Sequence, residues 1–171
     1  MRFWAGSIVC ALLTGCQTVP PAEVARGPDG VAFEVKSWGA LVHSWSVLAD
    51  GTATSVTRVS ESGSPWPPYA LEHRRFALSS EQLARLRTLA SEIPRPVPTD
   101  QACENRITDA AYGTLSFVHG DETDALAFYG GCFDAYYAPY IGKVKAIDAL
   151  VMGESGKAAV ERREEIAPET S

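Results

Sequence analysis

The spacing of the apolar residues changes along this chain, and that change constrains the fold more than any other feature. Apolar and polar residues alternate in several short runs, which is typical of half-buried strands. Between Leu83 and Ile93 the apolar residues instead lie three or four positions apart, which is the spacing of a helix with one buried face. A second helical run lies between residues 134 and 152. The chain therefore combines a sheet with helices that pack on it.

Capping and turn residues set the boundaries of these elements. Ser79 and Gln82 fit a capping box at the start of the first helix, and Pro94 ends it. Asp50-Gly51 is typical of a hairpin turn. The extended runs are residues 31–37, 41–48, 52–59, 69–78, 112–119 and 123–129. We predict an α+β fold, an antiparallel sheet of five or six strands with two helices packed on one face.

The first sixteen residues form a separate signal. Arg2 supplies a cationic start, and an apolar run from Phe3 to Leu13 follows it. This run is shorter than the roughly 20 residues that span a bilayer, but it has the length of a signal-peptide core. The tetrad Leu13-Thr14-Gly15-Cys16 that closes it resembles the lipobox of bacterial lipoproteins. The resemblance implies a signal peptide at residues 1–15 and a lipidated Cys16.

In that family the cysteine takes a diacylglyceryl thioether, the chain is cut before it, and the new amino terminus is acylated. Two or more acyl chains, such as palmitate, hold a protein firmly on a membrane. Gln17 stands where an aspartate tends to retain such proteins in the inner membrane. The resemblance therefore implies a membrane partner through the lipid on Cys16, in the outer membrane and facing the periplasm. Likeness beyond the lipobox is to small uncharacterised lipoproteins of the Gram-negative envelope.

The rest of the chain divides into three parts. Residues 16–30 contain the lipidated cysteine and a Pro- and Gly-rich linker, which reaches about 45–50 Å when extended. Residues 31–153 form the globular periplasmic domain, and we expect the charged tail at residues 154–171 to be disordered.

Four cysteines are present, and the resemblance to a lipobox implies separate roles for two of them. Cys10 leaves with the signal peptide and Cys16 takes the lipid, so Cys103 and Cys132 remain as a pair in an oxidising compartment. We predict a disulfide between them. The alternative is a redox or nucleophilic thiol, which no CxxC spacing supports.

Charge and motifs exclude several function classes. Removing Arg2 with the signal changes the net charge from −6 to −7, which argues against nucleic acid as a partner. The sequence contains no HExxH motif, Walker loop or G-x-S-x-G elbow, and we expect no cofactor and no metal. The histidines are far apart in sequence: His43, His73 and His119. Asp109 could form a catalytic carboxylate pair with Asp121 or Asp124, although aspartate is also common in turns for its own backbone hydrogen bonds.

Two loops carry the candidate binding residues. Trp66 lies in the stiff segment Pro65–Tyr69, where it either contacts a partner or folds back to cap the sheet. Arg106 and Tyr112 follow Cys103 closely, so the bridge would pin a recognition loop that presents both of them. The competing interpretation, which the sequence favours, is an Arg106–Asp109 ion pair that merely orders this connection.

Two tryptophans are expected in or beside the core. Trp38 and Trp45 fall within the region of predicted strands, so their rings would pack against the sheet.

These observations lead to one functional hypothesis with two alternatives. The leading hypothesis is a non-enzymatic binding or assembly module on a lipid tether, with an envelope protein or a cell-wall component as its partner. The first alternative is an envelope hydrolase or redox protein. The second is a mainly structural lipoprotein without a tight partner.

Overall fold

A computed structural model describes residues 28–167, so Cys16, the predicted signal peptide and most of the linker lie outside the described residues. The strands are β1 (Gly30–Ser37), β2 (Ala40–Leu48), β3 (Thr52–Val59), β4 (Tyr69–Ala77), β5 (Tyr112–His119), β6 (Glu122–Tyr129) and β7 (Val160–Ile166). The helices are α1 (Ser80–Ser91) and α2 (Ala138–Ser155), with one turn of 3-10 helix at Asp100–Ala102. Within the described residues, neither α-helix combines the length and the apolar character that crossing a membrane requires.

The strands form one antiparallel sheet in the order β6-β5-β1-β2-β3-β4-β7. We call its two ends the Trp38 end, where the Trp38–Gly39 turn joins β1 to β2, and the Gly30 end, where β1 begins. Because every strand pair is antiparallel, three further loops reach the Trp38 end. They are residues 60–68, 99–111 and 130–137.

Both helices pack on one face of the sheet, which confirms the predicted α+β class. Phe33 of β1 stacks on Trp45 of β2 and on Phe128 of β6, with ring centroids 5.4 and 5.2 Å apart. The apolar residues of α2 cover this aromatic layer, and Val144 and Ile147 are almost fully buried. Burial of such side chains stabilises the fold by roughly 1.5–3 kcal/mol each. The predicted capping box at Ser79 and Gln82 is present in both directions.

The charged tail is the largest difference from the prediction. α2 continues to Ser155, and Val160–Ile166 forms β7, so the sheet has seven strands rather than five or six. The expectation of a disordered tail is wrong for this segment. The sequence of β7 shows no apolar face, so alternation does not indicate a strand there. β7 is an edge strand held by its backbone ladder with β4 and by cross-strand ion pairs. One such pair joins Arg163 to Glu72 at 2.8 Å.

Two tyrosines of the α2 region occupy the outer edge of β6. The Tyr129 N–H donates to the Tyr137 hydroxyl at 2.9 Å, and the Tyr140 hydroxyl donates to the Ala127 carbonyl at 2.7 Å. Burial raises the pKa of the Tyr140 hydroxyl well above its ordinary value, so it remains a donor. These bonds use backbone groups that an edge strand otherwise offers to another chain.

Replacing Tyr140 by Phe tests this edge. We expect Tyr140→Phe to lower the free energy of unfolding by about 1 kcal/mol, because the Ala127 carbonyl loses its donor. The control is Tyr136→Phe, since the Tyr136 hydroxyl bonds the Thr99 carbonyl at an exposed site where water can replace it. Urea denaturation would measure both, and equal losses in the two variants would contradict the expectation.

Candidate functional site

Exposed apolar side chains concentrate at one end of the sheet. The described residues include nine large ones: Trp38, Leu48, Val59, Trp66, Ile107, Tyr112, Phe133, Tyr136 and Val160. All except Leu48 and Val160 lie at the Trp38 end. Such clustering marks interaction surfaces more often than scattered exposure does.

A cleft of about 670 Å³ opens at the same end, on the face of the sheet that the helices leave free. Glu34 and Lys36 of β1 and Tyr112 of β5 form part of its floor, the 99–111 loop forms a wall, and Trp38 stands at its rim. We call this the Trp38 cleft. Its volume lies within the range of roughly 300–1,000 Å³ that is common for small-ligand sites.

Arg106 projects from the loop wall into this cleft. Its guanidinium lies over the ring of Tyr129, 4.6 Å from the centroid, and 3.7 Å from the carboxylate of Asp100. The Arg106–Asp109 ion pair that the sequence suggested is therefore wrong, and Asp100 takes that position. Arg106 and Tyr112 both line the cleft, as the interpretation of a recognition loop requires.

The loop that carries Arg106 is fastened to the segment after β6. The predicted disulfide between Cys103 and Cys132 is confirmed, with the two Cα atoms 5.8 Å apart. Arg106 itself forms a β-bridge with Cys132, and the backbone N–H groups of Glu104 and Asn105 donate to the Asp134 carboxylate at 2.8 and 3.1 Å. These bonds hold Arg106 in one place without help from a ligand.

Trp38 departs from its predicted environment, whereas Trp45 matches it. Trp45 is 3% exposed, but Trp38 is 60% exposed because it lies in the turn and not in a strand. The backbone φ angles of Trp38 and Gly39 are +54° and +78°, as a two-residue type I′ hairpin turn requires. The sequence held a usable signal, since Gly39 follows directly on an alternating run. By contrast, no feature of the sequence indicates that the Asp134 carboxylate holds the loop that carries Arg106.

Trp66 lies at the same end but outside the cleft. Its ring is 59% exposed rather than folded over the sheet, and the Arg58 guanidinium fixes its loop by donating to the Pro65 carbonyl at 3.1 Å. β4 stands four strand spacings from β5, about 19 Å, so Trp66 and Tyr112 belong to different parts of this end.

The three histidines do not come together, and neither do the carboxylates of the predicted pairs. His43 faces α2 and bonds Asp148 at 2.8 Å, His73 lies on the opposite face beside Arg162, and His119 lies at the Gly30 end. Asp109 lines the Trp38 cleft, whereas the other two members of the suggested pairs lie elsewhere. Asp121 follows β5 at the Gly30 end, and Asp124 pairs with Arg95.

The group of potential metal ligands found within residues 28–167 is Cys103, Cys132 and Asp134. The two sulfur atoms are bonded to each other, and the Asp134 carboxylate accepts two backbone N–H groups. This cluster therefore serves to fasten the loop. No protein-family model, curated protein or solved structure matches this chain.

Proposed function

We propose that this chain is a lipid-anchored protein of the bacterial cell envelope whose folded domain binds another envelope component through the Trp38 end. The anchor is the acylated Cys16 of the lipobox-like tetrad, and Gln17 favours the outer membrane as its location. The domain works as a non-enzymatic binding module.

One observation carries the binding role. Most of the large exposed apolar side chains, together with a cleft whose wall is held by a disulfide, lie at a single end of the sheet. A preformed surface of this kind loses little conformational entropy on binding. Trp and Tyr are also frequent energetic centres of interfaces, and Trp38 and Tyr112 provide both here.

The position of the tether agrees with this role. The chain enters the domain at Gly30, at the end of β1 opposite to Trp38. An eight-residue strand is about 26 Å long, so the cleft stands roughly that far from the point of attachment. A domain tethered at the Gly30 end therefore keeps its point of attachment away from the cleft, so the tether does not block it.

The anchor is tested by Cys16→Ser. Because the thioether needs the thiol, we expect this variant to lose the lipid and to accumulate as an uncleaved or mislocalised precursor. Metabolic labelling with a palmitate analogue and membrane fractionation would measure this. The Cys10→Ser variant is the control and should mature normally. A Cys16→Ser protein that still matures and fractionates with membranes would rule out the lipobox interpretation.

The binding end is tested by site-specific photocrosslinking in intact cells. A photoreactive phenylalanine replaces Tyr112, which is 40% exposed at the Trp38 end, or Leu48, which is 53% exposed at the Gly30 end. We expect one dominant envelope adduct from position 112 and none of the same mass from position 48. Identical patterns from both positions, or no adduct from either, would favour a mainly structural lipoprotein.

The burial of the disulfide favours the proposed function over the redox alternative. Cys132 is 3% exposed, whereas redox-active cysteines are usually accessible to their partners. A reactive thiol at either position in the purified protein would favour the redox hypothesis over the proposed one.

A further inference from the structure

Trp38 is an energetically unfavourable residue for the turn it occupies, because its backbone φ angle is +54°. The left-handed backbone region costs a non-glycine residue roughly 1–2 kcal/mol, and Asn-Gly is the usual sequence of a type I′ turn. The Trp38 ring recovers little of this cost through packing, since it is 60% exposed. The turn does not need an indole for its own stability, and the exposed ring is available to contact a ligand in the cleft.

The polar groups of the cleft are of both signs. Lys36 forms an ion pair with Glu34 at 2.7 Å, and the hydrogen bond between them raises the pKa of Lys36, which therefore stays charged. Arg106 and Asp100 are 3.7 Å apart, beyond hydrogen-bond distance, so guanidinium N–H groups remain free to donate. Within residues 28–167 the Asp109 carboxylate makes no ion pair or side-chain hydrogen bond, so its oxygens remain free to accept.

This charge balance disfavours strongly charged and wholly apolar ligands. The cleft contains three carboxylates and two cations, so a strongly anionic ligand meets net repulsion, and a cation finds a single uncompensated carboxylate, because Lys36 and Arg106 offset the other two. An apolar ligand would bury these charges without compensation. A neutral ligand with many hydroxyl groups and an apolar ring face satisfies both the charged groups and the exposed aromatic rings.

We infer that the Trp38 cleft binds a neutral oligosaccharide. The C–H face of a sugar ring packs on the indole of Trp38, much as other apolar surfaces pack on aromatic rings. The Asp109 carboxylate accepts hydrogen bonds from neighbouring hydroxyls, and Arg106 donates to sugar oxygens. This inference rests on the proposed binding role of the Trp38 end and names the ligand class that this end takes.

Direct binding measurements test the ligand class. The full-length protein, purified in detergent, is applied to immobilised neutral oligosaccharides of N-acetylglucosamine, glucose, galactose and mannose, and hits are titrated by calorimetry. A pull-down with purified peptidoglycan distinguishes a cell-wall glycan from other polysaccharides. We expect at least one oligosaccharide to bind, and failure of the whole panel and of peptidoglycan would overturn the inference.

Trp38→Asn separates recognition from folding. Asn tolerates the left-handed conformation, so we expect this variant to lose at least tenfold in oligosaccharide affinity while its urea midpoint stays equal or rises. Leu48→Asn is the control, because Leu48 is 53% exposed but lies at the Gly30 end, away from the cleft, and the affinity of this variant should stay within twofold. Asp109→Asn should also lose about tenfold. Undiminished binding by Trp38→Asn would overturn the inference.

The photocrosslinking experiment distinguishes this inference from the function it rests on. A dominant protein adduct at position 112, combined with no oligosaccharide binding, would reject the saccharide and keep the binding end. Oligosaccharide binding that depends on Trp38 would support both.

Discussion

Replacing Cys103 and Cys132 by Ala is expected to lower the free energy of unfolding by about 3–4 kcal/mol, because the bridge closes a loop of 29 positions in the unfolded chain. For a domain of this size, that loss corresponds to a fall of about 10 °C in Tm. The closed loop contains both β5 and β6, so its loss affects one whole side of the sheet. Calorimetry under non-reducing conditions would measure the change.

The reduced parent protein is the natural comparison for this variant. Added reductant should lower its Tm to about that of the double alanine variant, whereas the variant should not respond. Truncating the buried Cys132 side chain adds a smaller packing loss, which the reduced parent does not suffer. Equal Tm values for the oxidised parent and the variant, with two titratable thiols in the parent, would contradict the expectation.

Replacing Gly113 by Ala is the second change that we expect to lower the free energy of unfolding strongly. A Cβ atom at this position would lie 1.9 Å from the backbone oxygen of Glu34 and 2.8 Å from the Cζ atom of Phe128. Relief of the first contact requires β1 and β5 to move apart, which breaks ladder bonds at the floor of the cleft. We expect Gly113→Ala to cost roughly 3 kcal/mol or more, at the upper end of what overpacking causes.

Gly142→Ala is the matched control for Gly113→Ala. Gly142 lies within α2, and a Cβ there has open space around it. Because alanine favours the helix, we expect this variant to gain up to about 1 kcal/mol. Urea denaturation followed by circular dichroism would compare the two. A Gly113→Ala midpoint equal to that of the parent would show that β1 and β5 can adjust at no cost.

The fold was predictable where local chemistry and burial agree. The helix at Ser79 has a capping box, a buried apolar stripe and a following Pro94, and all three indicate the same element. The cysteine pair was predictable because the resemblance to a lipobox assigns Cys10 and Cys16 to other roles, which leaves Cys103 and Cys132. Alternation indicates β1, whereas the Asp50-Gly51 turn and the Thr- and Val-rich return run indicate β2 and β3.

β7 was not predictable and the Trp38 turn was missed, for two different reasons. The segment VERREEI buries no apolar face, so the backbone ladder with β4 decides its structure and its composition does not. Trp38 contradicts the usual chemistry of its turn, so strand alternation seemed to continue through it. The site itself needed the fold, because antiparallel pairing brings Trp38, Arg106 and Tyr112 together across a long stretch of sequence.

The two edges of the sheet affect whether neighbouring copies of this protein on one membrane would associate. Molecules confined to a surface meet their neighbours far more often than molecules in solution, and unpaired strand edges are where chains join into fibres. Here the hydroxyls of Tyr137 and Tyr140 occupy part of one edge, and the charged β7 forms the other. If the domain is tethered as proposed, crowded copies therefore remain separate, and each keeps its own Trp38 cleft free for the partner.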